Sequence, residues 1–425
     1  MPAADPITLL LAGQYPDPET GESLAAESYA VVIEDSLSGS EADLIEALGV
    51  GKCVAVVSDR STYEVLGERI ERALRGRFTV QSIMLEAGPH AEEDTVDELV
   101  AALAPATDLV IAVGSGTIND LTKLTAFRHG CAQAVFATAP SMNGYTSLSA
   151  SITSGGIKRS FRTRTPLGVY FDLRVLAAAP PRLIRAGLGD SACRPTAQAD
   201  WLLSHLLLDT PYREAPFALL AEDERHLFSN TAALLAGDLE TMRHLVRILV
   251  LSGFGMTICN GSYPASQGEH LLSHYVEMMK PPGLPHTFHG EQIAACTVAM
   301  AEIQERVLDG AAPRLRPAHV DRRAVVEHFG APIGEACWRE FALKQFDLAA
   351  LEARLVERWD AIRTRIRGVT VGAAKLRGLL ADAGAPVDPR QLGWPAELFE
   401  DALVHAREIR SRYTFLDLAA DCAPR

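Results

Sequence analysis

From residue 51 to residue 138 short β-branched runs alternate with helical periods, and beyond Pro180-Pro181 the alternation stops. Residues 51–59 (GKCVAVVSD), 78–86 (FTVQSIMLE), 108–113 (DLVIAV) and 134–138 (AVFAT) read as strands. Between them residues 61–74, 92–103 and 118–128 carry helical spacing, the first opening on Ser61 or Thr62 as a cap. Alternation at this pace predicts a doubly wound parallel sheet, since each parallel strand needs a crossover that helices supply. Past residue 180 helical periods dominate, at 200–207, 220–235, 239–252, 292–305, 322–329, 348–367 and 395–413. The expected architecture is an α/β domain over residues 1–178 and an all-α domain over residues 179–425.

The chain has 425 residues, enough for two such domains. Its formal net charge of −14 argues against nucleic acid or an anionic membrane as partner, and leaves an anionic small molecule in need of a local basic pocket. The seven cysteines are scattered, odd in number and never spaced CxxC, so neither a disulfide framework nor a zinc ribbon is expected. A reducing cytoplasm fits that usage. Near the N-terminus only a short apolar run (LLLA) occurs, without a basic stretch before it, and no segment approaches about 18 apolar residues. Neither a signal peptide nor membrane insertion is read.

Residues 113–123, VGSGTINDLTK, place a glycine-rich turn between a strand and a helix. Backbone N–H groups and the positive end of a helix can cradle a phosphate there, although the spacing is neither GxGxxG nor the P-loop pattern, and a tight turn without a ligand reads equally well. Asp59 ends a strand. Such an acid can accept from a ribose 2′-hydroxyl and repel a 2′-phosphate, favouring NAD over NADP, or simply cap the next helix. Residues 138–147, TAPSMNGYTS, form a hydroxyl-rich loop directly after a strand, where α/β sheets take their ligands; Asn143-Gly144 is also an ordinary turn signal. Lys158, Arg159, Arg162 and Arg164 make a basic cluster that is either a phosphate pocket or a solvated face.

The segment QGEHLLSHYVEMMKPPGLPHTFHGEQ, residues 267–292, holds His270, His274, His286 and His289, four of the twelve histidines. His270 and His274 share one helix face at i and i+4, and HExxH is absent. With the carboxylate of Gly187-Leu188-Gly189-Asp190, two or three of these imidazoles can close around one divalent metal and leave a position open for substrate. Spacing alone leaves open which three groups ligate.

Taken together these blocks resemble the dehydroquinate synthase-like and iron-containing alcohol dehydrogenase superfamily, and within it the glycerol-1-phosphate dehydrogenase group. The resemblance runs from about Lys52 to Ala419 through GSGTINDLTK, TAPSMNGYTS, GLGD with ADWLLSH, GEHLLSHYVE, FHGEQ and IRSRYTFLDLA. It implies a Rossmann-like domain, a helical domain and an active site in the cleft between them. It further implies that Asp190, His270 and His289 ligate the metal and that His274 contacts substrate. Gly114, Ser115, Gly116, Thr117 and Asp120 are then expected to line the NAD pyrophosphate site. Thr138, Ser141 and Ser147 are expected along the cofactor and Asp59 at the adenosine ribose. The metal expected is zinc, with nickel or iron(II) acceptable to the same donors. The resemblance implies a phosphorylated polyol or ketone as substrate and a homodimer as the assembly.

Two residues depart from the pattern the resemblance implies. Asn143 stands where relatives usually carry an Asp that grips the substrate, and Arg194 stands where they often carry Lys. Both lie at the substrate end, so another polyol or alcohol remains an alternative. A synthase of the dehydroquinate or cyclitol type is a second alternative, although its first metal ligand is usually Glu rather than Asp. A binding module without catalysis is a third, disfavoured by the presence of all three metal-ligand types.

Overall fold

The computed structural model describes residues 5–155, 157–316 and 320–422. Contacts divide the chain into two compact units, Met1–Gly187 with Glu214–Gly261, and Leu188–Arg213 with Ser262–Arg425.

The first unit is built on a six-stranded sheet. Its strands are β1 (Ala30–Glu34), β2 (Cys53–Asp59), β3 (Thr79–Leu85), β4 (Leu109–Gly114), β5 (Ala132–Ala137) and β8 (Gly168–Asp172), while β6 (Ser149–Ser154) and β7 (Ile157–Arg162) form a separate antiparallel hairpin. The order across the sheet is β1-β8-β5-β4-β2-β3 and every neighbouring pair is parallel. Successive residues of β2 enter different cores: Val54 and Val56 pack with Ile111, Val113 and Phe136, whereas Ala55 and Val57 pack with Val110, Leu99 and Leu121. A strand buried on both faces reads as a continuous apolar run, which is how β2, β4 and β5 were legible. β1 (AVVIE) and β8 (GVYFD) carry equally short apolar runs that the sequence reading passed over.

The helices needed below are α1 (Glu93–Ala102), α2 (Gly116–His129), α3 (Pro181–Ala192), α4 (Arg194–Leu208), α5 (Leu239–Ile258), α6 (Gly268–Met279), α7 (His289–Leu308), α8 (Leu348–Arg367) and α9 (Phe415–Asp421). In the second unit α4, α6, α7 and α8 share a core that includes Leu203, Leu272, Tyr275, Ile303, Leu355 and Trp359. Among the described residues no helix is long and apolar enough to cross a membrane.

Three expectations differ from the observed elements. The single boundary after residue 178 does not follow the contacts, because α5 packs with the sheet unit. The Thr146 hydroxyl donates to the Val250 carbonyl at 2.7 Å, and a Cβ at Gly253 would lie 2.1 Å from Thr146 Oγ1. Residues 220–235 are two helices, Ala221–Ser229 and Thr231–Leu235, broken at Asn230 where φ is −135°. The period over 395–413 yields a helix only to His405, then a 3-10 turn over Ala406–Ile409. There Arg410 turns extended, and Thr414 goes on to cap α9.

The outer side of α6 carries a titratable stack. Tyr275 Oη lies 2.7 Å from His328 Nε2, and the His328 ring stacks on His405 with centroids 3.7 Å apart. Burial lowers the His328 pKa and the neighbouring His405 lowers it further. The folded value thus lies below the unfolded value of about 6.5, so this contribution to stability is complete above that pH and is lost as pH falls below it. The melting temperature of the wild type is expected to drop more steeply between about pH 7.5 and 5.5 than that of His328→Gln, which keeps an acceptor for Tyr275 but cannot protonate. Parallel melting curves by circular dichroism would contradict this.

Candidate active site

β2 and β4 are neighbours in the sheet, with Val57 opposite Ala112, so Asp59 and Gly114 end their strands at the same level. The chain leaves β2 towards β3 on one side and leaves β4 towards β5 on the other. Strand order therefore reverses between them, and the carboxyl ends of such a pair are where open α/β sheets take ligands. Gly114 closes β4, and Gly116 and Thr117 open α2. A Cβ at Gly114 would fall 2.5 Å from that of Ile118, so only glycine lets the helix start this close to its strand. Ser115 takes the N-cap position without a side-chain cap bond, which leaves first-turn N–H groups of a fourteen-residue helix for an anion. Thr138 follows β5, and its N–H donates to the Gly114 carbonyl at 3.1 Å.

The two acids expected at the cofactor, Asp59 and Asp120, are engaged structurally. Asp59 Oδ1 accepts from Thr62 N at 2.8 Å while Asp59 N donates to Thr62 Oγ1 at 3.0 Å, so the helix-capping role is present. Asp120 accepts from Ser151 N at 3.0 Å and Asn119 Nδ2 at 3.0 Å, fastening α2 to the β6 strand. Burial raises its pKa against the pull of Lys123.

Sequence reasoning gave Lys123 no role. Its side chain is buried, and Nζ donates to the carbonyls of Gly144 at 2.7 Å, Ser147 at 3.2 Å and Ser149 at 3.3 Å. Burial lowers its pKa to about 8. One amine thus closes the second half of the 138–147 loop onto α2. The Ser147 hydroxyl also serves that loop, donating to Gly144 O at 3.0 Å and Ser149 O at 3.1 Å. Ser141 is buried, and the Asn143 carbonyl would lie 3.0 Å from a Cβ at Gly253 on α5. The only advance signal for Lys123 was a cation three residues after Asp120, in the middle of the helix that follows the glycine-rich turn.

In the second unit Asp190, His270 and His289 come together. His270 Nε2 is 3.7 Å and His289 Nε2 4.0 Å from Asp190 Oδ1, and one ligand atom from each of the three residues lies within 4.8 Å of the others. Ligands about 2.1 Å from a tetrahedral ion stand roughly 3.4 Å apart, so a modest contraction seats one ion. The donor set, one carboxylate and two imidazoles, suits zinc, nickel or iron(II). His270 comes from the first turn of α6 and His289 is the first residue of α7. Asp190 reaches them because α3 runs against α7 at Gly189, where a Cβ would lie 2.1 Å from the Gly290 carbonyl oxygen. The His274 ring stands outside the set, 5.9 Å from His270 and 6.0 Å from His289, and the His286 ring packs on Phe288. Arg194 donates to Gln198 Oε1 at 2.5 Å.

Two buried carboxylates support the set. Glu269 Oε1 lies 2.8 Å from His270 Nδ1, which fixes that nitrogen as the proton carrier and turns Nε2 towards Asp190. Burial raises the Glu269 pKa to about 7 and that of Asp200 to about 8. Asp200 accepts from the N–H groups of Gly268 at 2.9 Å and Phe415 at 3.0 Å and from Gln304 Nε2 at 3.2 Å, joining the starts of α6 and α9 to α7.

Comparison with known proteins places this geometry in context. Residues 32–180 match a family model described as iron-containing alcohol dehydrogenase. A glycerol-1-phosphate dehydrogenase [NAD(P)+] of Bacillus velezensis is 32% identical over 405 residues, covering 92% of each chain. One from Pyrococcus furiosus is 33% identical over 272 residues, 64% of this chain and 77% of that one. The crystal structure of glycerol dehydrogenase from Schizosaccharomyces pombe matches the fold with a TM-score of 0.62 at 15% identity, over 93% of this chain and 88% of that one.

If Glu269 orients His270 for a metal, Glu269→Gln weakens metal affinity by about 10- to 100-fold while the protein stays folded. Competition with a chelator of known affinity measures this, and an unchanged affinity contradicts it.

Proposed function

The chain belongs to the iron-containing alcohol dehydrogenase family, in its glycerol-1-phosphate dehydrogenase group, and on that premise we propose reversible hydride transfer between NAD(H) and dihydroxyacetone phosphate, giving sn-glycerol 1-phosphate. The observation that carries this reading is the Asp190, His270 and His289 set, in a chain related over nine-tenths of its length to a glycerol-1-phosphate dehydrogenase.

Asp190, His270 and His289 would hold the metal, zinc being the first choice for these donors with nickel and iron(II) next. A divalent ion there supplies Lewis-acid polarisation of a carbonyl, and the nicotinamide supplies the hydride. Glu269 keeps the His270 tautomer in place. His274, a ring's breadth from both histidine ligands, is suited to orient a substrate hydroxyl or pass a proton to it. The amide of Asn143 both donates and accepts, so it suits an uncharged hydroxyl. At the sheet, the N-terminal turn of α2 with Gly114, Ser115, Gly116 and Thr117 receives the pyrophosphate. Thr138, Ser141 and Ser147 would line the cofactor, and Asp120 supports the turn through the β6 strand. Asp59 would meet the ribose, where its charge would favour NAD over NADP. The scattered cysteines fit a cytoplasmic enzyme, and a homodimer is proposed from the family resemblance.

The test is oxidation of NADH by metal-loaded protein with dihydroxyacetone phosphate, with chiral analysis of the product. Turnover to sn-glycerol 1-phosphate is expected, falling by about 100- to 1000-fold in Asp190→Ala, which removes a ligand of the ion that would stabilise the developing charge. A metal-loaded, NAD-binding protein without this turnover refutes the substrate assignment.

A further inference from the structure

His270 turns Nε2 towards Asp190, and its other nitrogen belongs to a second group of metal donors. One ligand atom each of Cys193, Glu269 and His270 lie within 4.8 Å of one another, and all three residues are buried. Cys193 is the N-cap residue of α4, three residues after Asp190. Its thiol is directed at two carbonyls, that of Asp190 at 3.2 Å and that of Ala265 at 3.8 Å. The two oxygens of Glu269 are held unequally. Oε1 accepts from Gln267 N at 2.8 Å and lies 2.8 Å from His270 Nδ1. Oε2 accepts from the Thr196 hydroxyl at 3.4 Å, well beyond the roughly 2.7 Å of a good bond of that kind. The same hydroxyl lies 2.7 Å from the Cys193 carbonyl, so the loosely held oxygen faces the start of α4, where the thiol is.

Thiolate, carboxylate and imidazole form a donor set different in kind from Asp190, His270 and His289. Sulfur selects soft ions such as cadmium and copper(I), with zinc intermediate and magnesium or calcium rejected. A coordinated thiol is deprotonated, so a divalent ion here meets two negative ligands and its charge is balanced within the buried set. The two sets share one imidazole, and its tautomer decides between them. With the proton on Nδ1, facing Glu269, Nε2 offers its lone pair to an ion beside Asp190. With an ion on Nδ1 the ring proton resides on Nε2, which then faces Asp190 Oδ1, 3.7 Å away, as a donor and is lost to the first set. His289, the most exposed of the ligand side chains, gives an arriving ion its way in past His270.

We propose that Cys193, Glu269 and His270 form a soft-metal site whose occupation disables the Asp190, His270 and His289 set, a consequence that rests on reading the latter as the catalytic metal set. The probe is cadmium, titrated into the metal-free and the zinc-loaded full chain. Metal-free protein is expected to show thiolate-to-cadmium charge-transfer absorption in the ultraviolet that saturates at one ion per chain, with a cadmium NMR shift of sulfur coordination. Zinc-loaded protein should release its zinc as that band grows, and NADH oxidation should fall in step. Cys193→Ser, which keeps the size of the side chain and a donor for the two carbonyls, should abolish the band. Its cadmium affinity should fall by more than about 100-fold, beyond the cost of losing a residue that only braces a ligand, and by more than its zinc affinity falls. The NMR shift is read on the wild type, so it decides the matter even if the variant folds poorly. Cadmium bound without sulfur coordination, or a band that persists in Cys193→Ser, overturns the site. Cadmium bound with sulfur coordination while zinc is retained overturns the exclusion. Zinc bound as tightly by Asp190→Ala as by the wild type overturns the reading of the first set and leaves the soft-metal site standing.

Discussion

A glycine with no room for a single methyl group sets the geometry of the candidate metal set Asp190, His270 and His289. Were Gly189 any other residue, its Cβ would sit 2.1 Å from the Gly290 carbonyl oxygen and 2.9 Å from the Ala294 methyl. α3 and α7 would have to part, and Asp190 would leave the reach of His289, one residue before Gly290. Close-packed helices yield little to such a demand; overpacking costs typically about 1–3 kcal/mol even where side chains can shift, and here the obstacle is backbone. The position of the carboxylate is thus fixed by what the preceding residue lacks.

The second constraint is electrostatic. Glu269, in the first turn of α6, and Asp200, on α4, are both buried, which raises the cost of ionising each, and the Glu269 charge adds to that cost at Asp200. Such a pair is tolerated because nearly every lone pair has a donor: Gln267 N on Glu269, and Gly268 N, Phe415 N and Gln304 Nε2 on Asp200. Gly268 is glycine for the same reason as Gly189, since a Cβ would stand 2.7 Å from Asp200 Oδ2. The network holds the first turn of α6 at one height, and His270 is in that turn. Stability is spent here on position.

Much of this was legible in the residues. β2, β4 and β5 announced themselves because strands covered on both faces must be apolar throughout, and the metal residues because their donor chemistry is distinctive. The strands β1 and β8 carry similar runs, AVVI and VYF, but no flanking helical period of the kind that marked the others drew them out. The grouping of α5 with the sheet depended on Gly253 and Thr146, two residues whose significance exists only once they touch. Lys123 was invisible for a similar reason: a lysine in a helix reads as solvated until three carbonyls are found around it. Asp59 and Asp120 show the converse. Their positions fit the expected pattern, while their visible bonds are to the protein's own backbone.

Anomalous diffraction from a crystal of the metal-loaded protein, collected at the absorption edge of the bound ion, tests the account most directly. One peak about 2.1 Å from Asp190, His270 Nε2 and His289 Nε2 is the predicted result. A peak on other residues, or none from protein shown to carry metal, would contradict it.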